Sequence, residues 1–573
     1  MSVDVNFMIG GEAGQGVQSI GFLLAKALVR CGYHVFADQD YESRVRGGHN
    51  FFRVRAKDSQ VYAISVPIDI LVALDRDTIN IHRTELTRGG VIIYDGEKIK
   101  DAGDGGTMFS VPLDRIAKET TGNTQASNTV ALGAIFGLIQ SDISLLSKVV
   151  LEYFGAGNVG EDNAKAVKAG YDYVLQNYSG DYARSLNAID NKQRMLINGN
   201  EAIALGAIAA GCKFVSGYPM TPTTPIIEYM AAKSREFDLV VLQPEDEIAA
   251  VNAVIGASYT GARAMTATSG GGFCLMVEGL SLAGMTETPI VVVLGQRPGP
   301  AIGLPTRTEQ GELEFAIHAG HGDYPKAVLS PSTIEDAFWL TVKAFNLADK
   351  YQLPVILITD HHLASSYFTA DKFDLSQVVI DRGTLLLIGD YASGSEYKRY
   401  RLTDSGISPR AFPMQQEGVL VVADSDEHNE EGHLIEDAET RNNMMRKRMK
   451  KLVSVERDVA LPKIYGSQEA EVALVGWGST CYAIREAVDI LLGQGVSVNS
   501  LHFSELWPFP SGGVSDILKK AGRIYIVESN ASGQLAHLIQ AETCVKVSDR
   551  ILKYDGRPFT PSDIVQEVKK RNK

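Results

Sequence analysis

Cysteine is scarce in this chain. Its 573 residues hold five, Cys31, Cys212, Cys274, Cys481 and Cys544, and no two form a CxxC pair. That spacing excludes a zinc ribbon, a local iron–sulfur run and a disulfide scaffold, and it points to a reducing, cytoplasmic setting. Long apolar runs are also missing. No window of about 18 continuous apolar residues exists, so no membrane span is expected. The N-terminal MSVDVNFMIGGEAGQG lacks the basic start of a signal peptide. Positive charge is in deficit, with 55 Lys and Arg against 69 Asp and Glu and a formal charge of −14. Such a balance disfavours non-specific binding to nucleic acid or anionic membrane. What is present is ordinary for a globular protein, 45% hydrophobic and 22% charged. The 55 glycines suggest tight turns and loops that approach ligands closely. At roughly 100–200 residues per domain, three or four domains are expected.

The pattern along the chain is α/β. A first block, residues 1–180, alternates short apolar runs (Val3–Ile9, His34–Ala37, Asp69–Leu74, Val91–Tyr94) with helical spacing at Val17–Val29, which predicts a parallel sheet. Asn128–Gln140 is apolar nearly all round and is expected to be a buried helix. Polar residues 181–194 read as a linker. A second α/β block covers 195–370, with strands expected at Lys213–Ser216, Leu239–Gln243, Pro289–Leu294 and Pro354–Ile358. Residues 371–460 are charged and poorer in strands, and TRNNMMRKRMKKL within them reads as a surface helix. A third α/β block covers 461–573, with strands expected at Glu471–Gly476 and Arg523–Glu528 and a helix at Ala483–Leu492.

The second block carries the chemistry. In QPEDEIAAVNAVIGASYTGARAMTATSGGGF (243–273), Glu247 opens a helix, and Ala250, Ala253 and Gly256 follow at +3, +6 and +9. Taken alone, this is either an acidic first turn on a closely packed helix or a carboxyl placed for chemistry. TATSGGG then forms a small-residue turn from a strand into a helix, through Thr268, Ser269 and Gly270. GYPMTPTTP (217–225) carries three prolines, which exclude helix and force an extended loop. That loop is either a rigid turn or a source of threonine and backbone donors for an anion. QRPGPAIGLPTRTEQ (296–310) is a second Pro/Gly loop after an apolar strand. Its Arg297 and Arg307 are suited to bidentate carboxylate recognition or to a solvated surface.

The glutamate, the small-residue helix and the TSG turn resemble the pyrimidine-binding domain of thiamine diphosphate enzymes. In that family the glutamate holds the imino tautomer of the cofactor, which then generates the nucleophilic ylid. Glu247 matches it, and Glu245 is the competitor that the spacing disfavours. With GYPMTP and QRPGP…GLPTRTEQ added, the chain resembles the α subunit of 2-oxoacid:ferredoxin oxidoreductases. Residues 1–180 resemble that family's γ subunit, and 461–573 its transketolase-C-like domain. The resemblance implies a multidomain α/β fold: a γ-type domain (1–180), a pyrimidine-binding domain (195–370), a connecting segment (371–460) and the transketolase-C-like domain (461–573). It implies a catalytic Glu247, a substrate site at Tyr218, Pro219, Thr221, Arg297 and Thr306, and a cofactor turn at Thr268, Ser269 and Gly270. It also implies oxidation of a 2-oxoacid with coenzyme A and ferredoxin to acyl-CoA and CO₂, reversible as reductive carboxylation. A β subunit is expected to bring the diphosphate site, Mg²⁺ and a [4Fe–4S] cluster, in a dimer of α–β heterodimers. GLPTRTEQ favours 2-oxoglutarate over pyruvate or a branched-chain 2-oxoacid. Many members carry Ser-Thr where this chain has Ala301-Ile302, which bears on the substrate.

Three features stay open at this level. GGEAGQG (10–16), with Gly11, Gly14 and Gly16, sits between a strand and a helix, as phosphate loops do, but does not match GxGxxG. SRVRGGHNFFRVR supplies Arg44, Arg46, Arg53 and Arg55 and reads either as a coenzyme A phosphate site or as a salt-bridge network. A non-catalytic, nucleotide-binding assembly subunit is the reading of another class. Gly103-Asp104-Gly105 imitates a diphosphate motif, but its polar flanks read as a turn. DEHNEEGH (426–433), with His428, Glu431 and His433, imitates a metal site, but Gly432 argues against the helix that such ligand spacing needs. His361 and His362 end a strand and read as packed or surface residues.

Overall fold

The computed structural model describes residues 3–42, 47–100, 102, 107–155, 157–180, 182, 184–190, 192–390, 397–417 and 419–572. Two compact units emerge. The first is built from residues up to Asn198 together with Ser365–Lys372, and the second from Gly199–Ala364 and from Phe373 onward.

The first unit is an eight-stranded sheet, in the order Thr107–Ser110, Leu86–Tyr94, Ile68–Ala73, Asp4–Glu12, His49–Lys57, His34–Asp40, Tyr367–Ala370, Met195–Asn198. The sheet is mixed where the sequence suggests a parallel one. Asp4–Glu12 pairs parallel with Ile68–Ala73 and antiparallel with His49–Lys57. The strand at 49–57 carries a clear period of two. Phe52, Val54 and Ala56 are buried in the core. On the other face Arg53 forms two bonds to Asp38 (2.8 and 2.5 Å), and Arg55 forms two to Asp4 (2.9 and 2.8 Å). Read as a basic cluster, that alternation is hidden. The sheet also takes strands from beyond residue 180. Tyr367–Ala370 pairs antiparallel with both His34–Asp40 and Met195–Asn198, covering an edge that would otherwise present unpaired backbone groups. The apolar helix expected at 128–140 is Ser127–Leu138. It packs on Asn158–Asn177 so closely that a Cβ at Gly133 would sit 1.9 Å from the Val167 carbonyl oxygen, and one at Gly170 would sit 2.0 Å from that of Val130.

The second unit holds two sheets. The larger runs Glu505–Trp507, Ala327–Leu329, Pro354–Asp360, Ile290–Gln296, Arg263–Ser269, Cys212–Ser216, Val240–Leu242. Its strands are parallel except at the Glu505–Trp507 edge. The three central strands Pro354–Asp360, Ile290–Gln296 and Arg263–Ser269 are buried along their whole length, as in sheets covered on both faces. The smaller sheet runs Lys463–Gly466, Val498–Phe503, Val472–Trp477, Arg523–Glu528, Asp549–Leu552. One apolar core joins the two, running from Ala250 and Phe273 through Ile356 to Trp477 and Leu535.

The segment TRNNMMRKRMKKL departs from its surface-helix expectation. It lies in the helix Ala438–Asp458, which buries Met444, Lys447, Arg448, Lys451 and Val455. Polar composition is misleading here because the cations are paired inside. Lys447 and Lys451 both contact the buried carboxylate of Glu287, and Arg448 grips Glu427.

Candidate active site

Parallel strands open a crevice at their C-terminal ends, and loops leaving neighbouring strands converge there. Tyr218–Thr221 follow Cys212–Ser216, Glu247 follows Val240–Leu242, Gly270 follows Arg263–Ser269, and Arg297 follows Ile290–Gln296. Glu247 is the first residue of the helix Glu247–Tyr259, whose N-cap is Asp246; the Asp246 carboxylate accepts the Ala249 N–H at 2.8 Å. Only 4% of Glu247 is exposed, whereas Glu245 faces solvent. Its Oε1 is buried without a hydrogen-bond partner among the described residues. Such an atom costs roughly 1–3 kcal/mol if it stays unpaired. It faces Gly272, where a Cβ would lie 2.1 Å from Thr268 Oγ1 and 2.5 Å from Glu247 Oε1. Thr268 and Ser269 are fully buried, and Ser269 Oγ also lacks a partner. A carboxyl and the Thr268 hydroxyl thus converge on Gly272, in the first turn of the 16-residue helix Gly270–Met285.

The proline loop and the arginine meet. Arg297 Nη1 donates to the Thr221 carbonyl at 2.9 Å, and only 9% of Arg297 is exposed. Burial lowers the Arg297 pKa, and neighbouring Glu312 opposes that effect. Tyr218 and Pro219 are exposed and Thr221 is half-buried. The extended loop is shorter than the proline count suggests, since Thr224 and Pro225 already belong to the helix Thr224–Phe237. Proline is tolerated there because the first turn has no use for its missing N–H.

Sequence reasoning missed how the second loop is held. Thr306 is half-buried in a segment that the C-terminal sheet pins. Gln310 Nε2 donates to the Trp477 carbonyl at 2.7 Å, Gln310 Oε1 accepts the Ser529 N–H at 3.0 Å, and Asn530 donates to the Gln310 carbonyl at 3.0 Å. The Thr308 hydroxyl donates to Asp360 at 3.2 Å, and Asp360 also accepts the Ser479 N–H. The only sequence signal was the polar run TRTEQ after Pro305, which says nothing about partners more than 150 positions away.

Comparison with known proteins decides the family. The pyruvate flavodoxin/ferredoxin oxidoreductase, thiamine diphosphate-binding family matches residues 205–447. The pyruvate ferredoxin/flavodoxin oxidoreductase family matches 6–173, and the pyruvate:ferredoxin oxidoreductase core domain II family matches 470–564. A 2-oxoacid:ferredoxin oxidoreductase alpha subunit of Aeropyrum pernix is 33% identical over 99% of this chain and 98% of its own length. The chain belongs to the 2-oxoacid:ferredoxin oxidoreductase alpha subunits. A 2-oxoglutarate synthase subunit of Archaeoglobus fulgidus is 34% identical over 65% of this chain and 98% of its own length. The solved 2-oxoglutarate:ferredoxin oxidoreductase of Magnetococcus marinus, with 2-oxoglutarate, coenzyme A and succinyl-CoA bound, superposes with a TM-score of 0.92 at 34% identity, covering all of both chains.

For an alpha subunit of this family, the remaining candidates sort as follows. Gly11 belongs to the strand Asp4–Glu12, so the turn proper is 13–16, with Gly14 and Gly16 at positive φ. A cavity of about 400 Å³ borders it, lined by Gly14, Gly16, Lys98, Asp114 and Asn128 among others, and Lys98 already pairs with Asp114. Arg44, Arg46 and Gly103-Asp104-Gly105 lie outside the described residues. Arg53 and Arg55, the described members of the basic cluster, are both held in salt bridges. His428 is fully buried against Tyr400, with ring centroids 4.1 Å apart. Among the described residues no group of three or more His, Cys, Asp or Glu could hold a metal ion. His361 is buried at the end of the strand Pro354–Asp360, and burial pushes its pKa down to about 4. No described helix is long and apolar enough to cross a membrane.

Proposed function

We propose that this subunit takes part in the CoA-dependent oxidation of 2-oxoglutarate by ferredoxin. The products are succinyl-CoA, CO₂ and reduced ferredoxin, and the reaction runs in reverse as reductive carboxylation. The observation that carries the reading is the unpartnered Glu247 Oε1 enclosed against Thr268 and Gly272. That arrangement fits the aminopyrimidine of thiamine diphosphate, a flat ring bearing one nitrogen able to share a proton with a carboxyl. When bound, thiamine diphosphate supplies the carbanion that attacks a 2-oxo carbon and the sink for the electron pair left by CO₂. The chain's own residues do the rest. Glu247 holds the shared proton at Oε1, and Thr268, Ser269 and Gly270 shape the wall beside it. Arg297 binds the substrate carboxylate next to Thr221 and Thr306, and the apolar strands behind them exclude water.

The diphosphate, Mg²⁺ and a [4Fe–4S] cluster are assigned to a β subunit, since the five scattered cysteines include no close-spaced cluster-binding run. The first unit, with Gly11, Gly14, Gly16, Arg44 and Arg46, is assigned to the coenzyme A side. Two relatives support the choice of acid: the Archaeoglobus fulgidus protein is a 2-oxoglutarate synthase subunit, and the Magnetococcus marinus structure holds 2-oxoglutarate. The test is a panel of 2-oxoacids given to the purified complex, following viologen reduction with coenzyme A. 2-Oxoglutarate is expected to turn over best, and preference for pyruvate or a branched-chain acid would overturn the substrate assignment. Glu247→Gln is expected to abolish reduction while leaving assembly intact; unchanged turnover would overturn its role. A colourless single chain that is stable and active alone would overturn the need for a partner.

A further inference from the structure

A second unpartnered carboxyl flanks the same glycine turn. Glu312 stands at the N-cap of the short helix Leu313–His318, yet its side chain makes no capping bond. Its backbone N–H donates to Gln296 Oε1 at 3.0 Å, which ties it to the end of the strand Ile290–Gln296. A Cβ at Gly270 would lie 1.7 Å from Glu312 Oε1, so glycine at 270 makes room for this carboxyl as glycine at 272 does for Glu247. Positions two apart on a helix point roughly 200° from each other, so the two carboxyls take opposite sides of the turn. Glu312 Oε2 is buried without a partner.

We propose that Glu312 is a further substrate-binding residue, which together with Arg297 receives the carboxylate of the 2-oxoacid and donates a hydrogen bond to it. The inference rests on the site assignment above. The groups facing the carboxyl are Arg297 at the end of Ile290–Gln296, Glu309 on its own loop and Cys274 on Gly270–Met285. Burial, with a smaller contribution from Glu309, pushes Glu312 up to about 8 against the pull of Arg297. An ionised Glu312 would neutralise Arg297 and repel an incoming carboxylate. A protonated one leaves Arg297 its full charge and adds an O–H donor, and hydrogen bonds to charged groups are among the stronger ones.

The test uses the complex of this subunit with its partner, with 2-oxoglutarate, from pH 6.5 to 9.5. In the wild type KM should be flat below about pH 8 and rise about tenfold per unit above it, as the protonated form becomes scarce. Glu312→Ala should raise KM about 10- to 100-fold at every pH with kcat within a few-fold. Glu312→Gln, which keeps a donor but cannot ionise, should recover most of that loss and abolish the alkaline rise. Calorimetry in buffers of different ionisation enthalpy should show about one proton taken up per 2-oxoglutarate bound at pH 9 in the wild type, and none in Glu312→Gln. An alkaline rise retained in Glu312→Gln, or no proton uptake by the wild type, would overturn the proposal while turnover itself upholds the site. A wild-type complex that turns over no 2-oxoacid would overturn both.

Discussion

Removing a buried positive charge from this protein should cost little, and removing its negative partner should cost much. Glu287 is fully buried, as are Lys447 and Lys451. Lys447 Nζ lies 2.5 Å from Glu287 Oε1, and Lys451 pairs with Oε2. Burial alone would raise the Glu287 carboxyl, but Lys447, Lys451 and Arg399 overrule it and hold it far below the usual range. Three buried cations, Lys447, Lys451 and Arg399, against one anion leave an excess charge inside. Burial, with Lys447 and Arg399 adding to it against the pull of Glu287, pushes Lys451 down to about 7. Lys451 in the unfolded chain titrates near 10.4. Between pH 7 and that value the unfolded state therefore binds more protons than the folded one, and stability rises with pH by about 1.4 kcal/mol per unit. Lys451→Met keeps the volume and lessens that excess by one cation, at the loss of a 3.1 Å bond to the Gln352 carbonyl. Its expected cost at pH 7 is within about 1.5 kcal/mol. Glu287→Gln strands two buried ammonium groups, and breaking such pairs costs about 3–5 kcal/mol. Urea midpoints, with hydrogen exchange of the 438–458 helix, should separate the variants. The gap between wild type and Lys451→Met should widen in favour of wild type by about 4 kcal/mol from pH 7 to pH 10. Taking the difference cancels Lys326, whose ammonium burial also lowers, to about 8. If Lys451→Met is as damaging as Glu287→Gln, or the gap does not move with pH, the charge-excess argument is wrong.

Two further substitutions address the site. Gly272→Ala would place a methyl within 2.5 Å of Glu247 Oε1 and within 2.1 Å of Thr268 Oγ1. It should weaken thiamine diphosphate binding by the complex more than tenfold, read by tryptophan fluorescence titration, with the urea midpoint shifted far less than in Glu287→Gln. Gln310→Ala removes the side-chain bonds to Trp477 and Ser529, leaving buried groups unpaired at about 1–3 kcal/mol. KM for the 2-oxoacid should rise several-fold with kcat nearly kept, because the substituted residue tethers the loop without lying in the crevice.

What the sequence made legible is local. The strand, the helix after it and the choice of Glu247 over Glu245 follow from patterns within about ten residues, although TATSGGG, read as a turn, divides between the end of the strand Arg263–Ser269 and the start of the helix Gly270–Met285. In the structure Glu247 is buried and Glu245 is not. The arginine-rich strand at 49–57 was legible too, in the alternation of Phe52, Val54 and Ala56 with Arg53 and Arg55, but its charge drew attention from its period. The helix at 438–458 was legible as a helix and illegible as a buried one. A lysine inside a protein is explained only by its partner, and Glu287 lies 160 positions from Lys447.

The same limit explains why Glu312 escapes a sequence reading while Glu247 does not. Glu247 is announced by the small residues that follow it on one helix, so its environment is written next to it. Glu312 has no such announcement beside it in sequence, only the flanking charges of Arg307, Glu309 and Glu314, and its meaning comes from Gly270, Gln296 and Arg297, which reach it from the ends of two other strands. A glycine in a TSGGG run reads as flexibility or as close approach to a ligand. In the fold, two of those three glycines are spaces for specific carboxyl oxygens, one on each side of the turn. Loss of the glycine at 270 should therefore act through Glu312 and loss of the one at 272 through Glu247, which ties the two carboxyls to a single short turn.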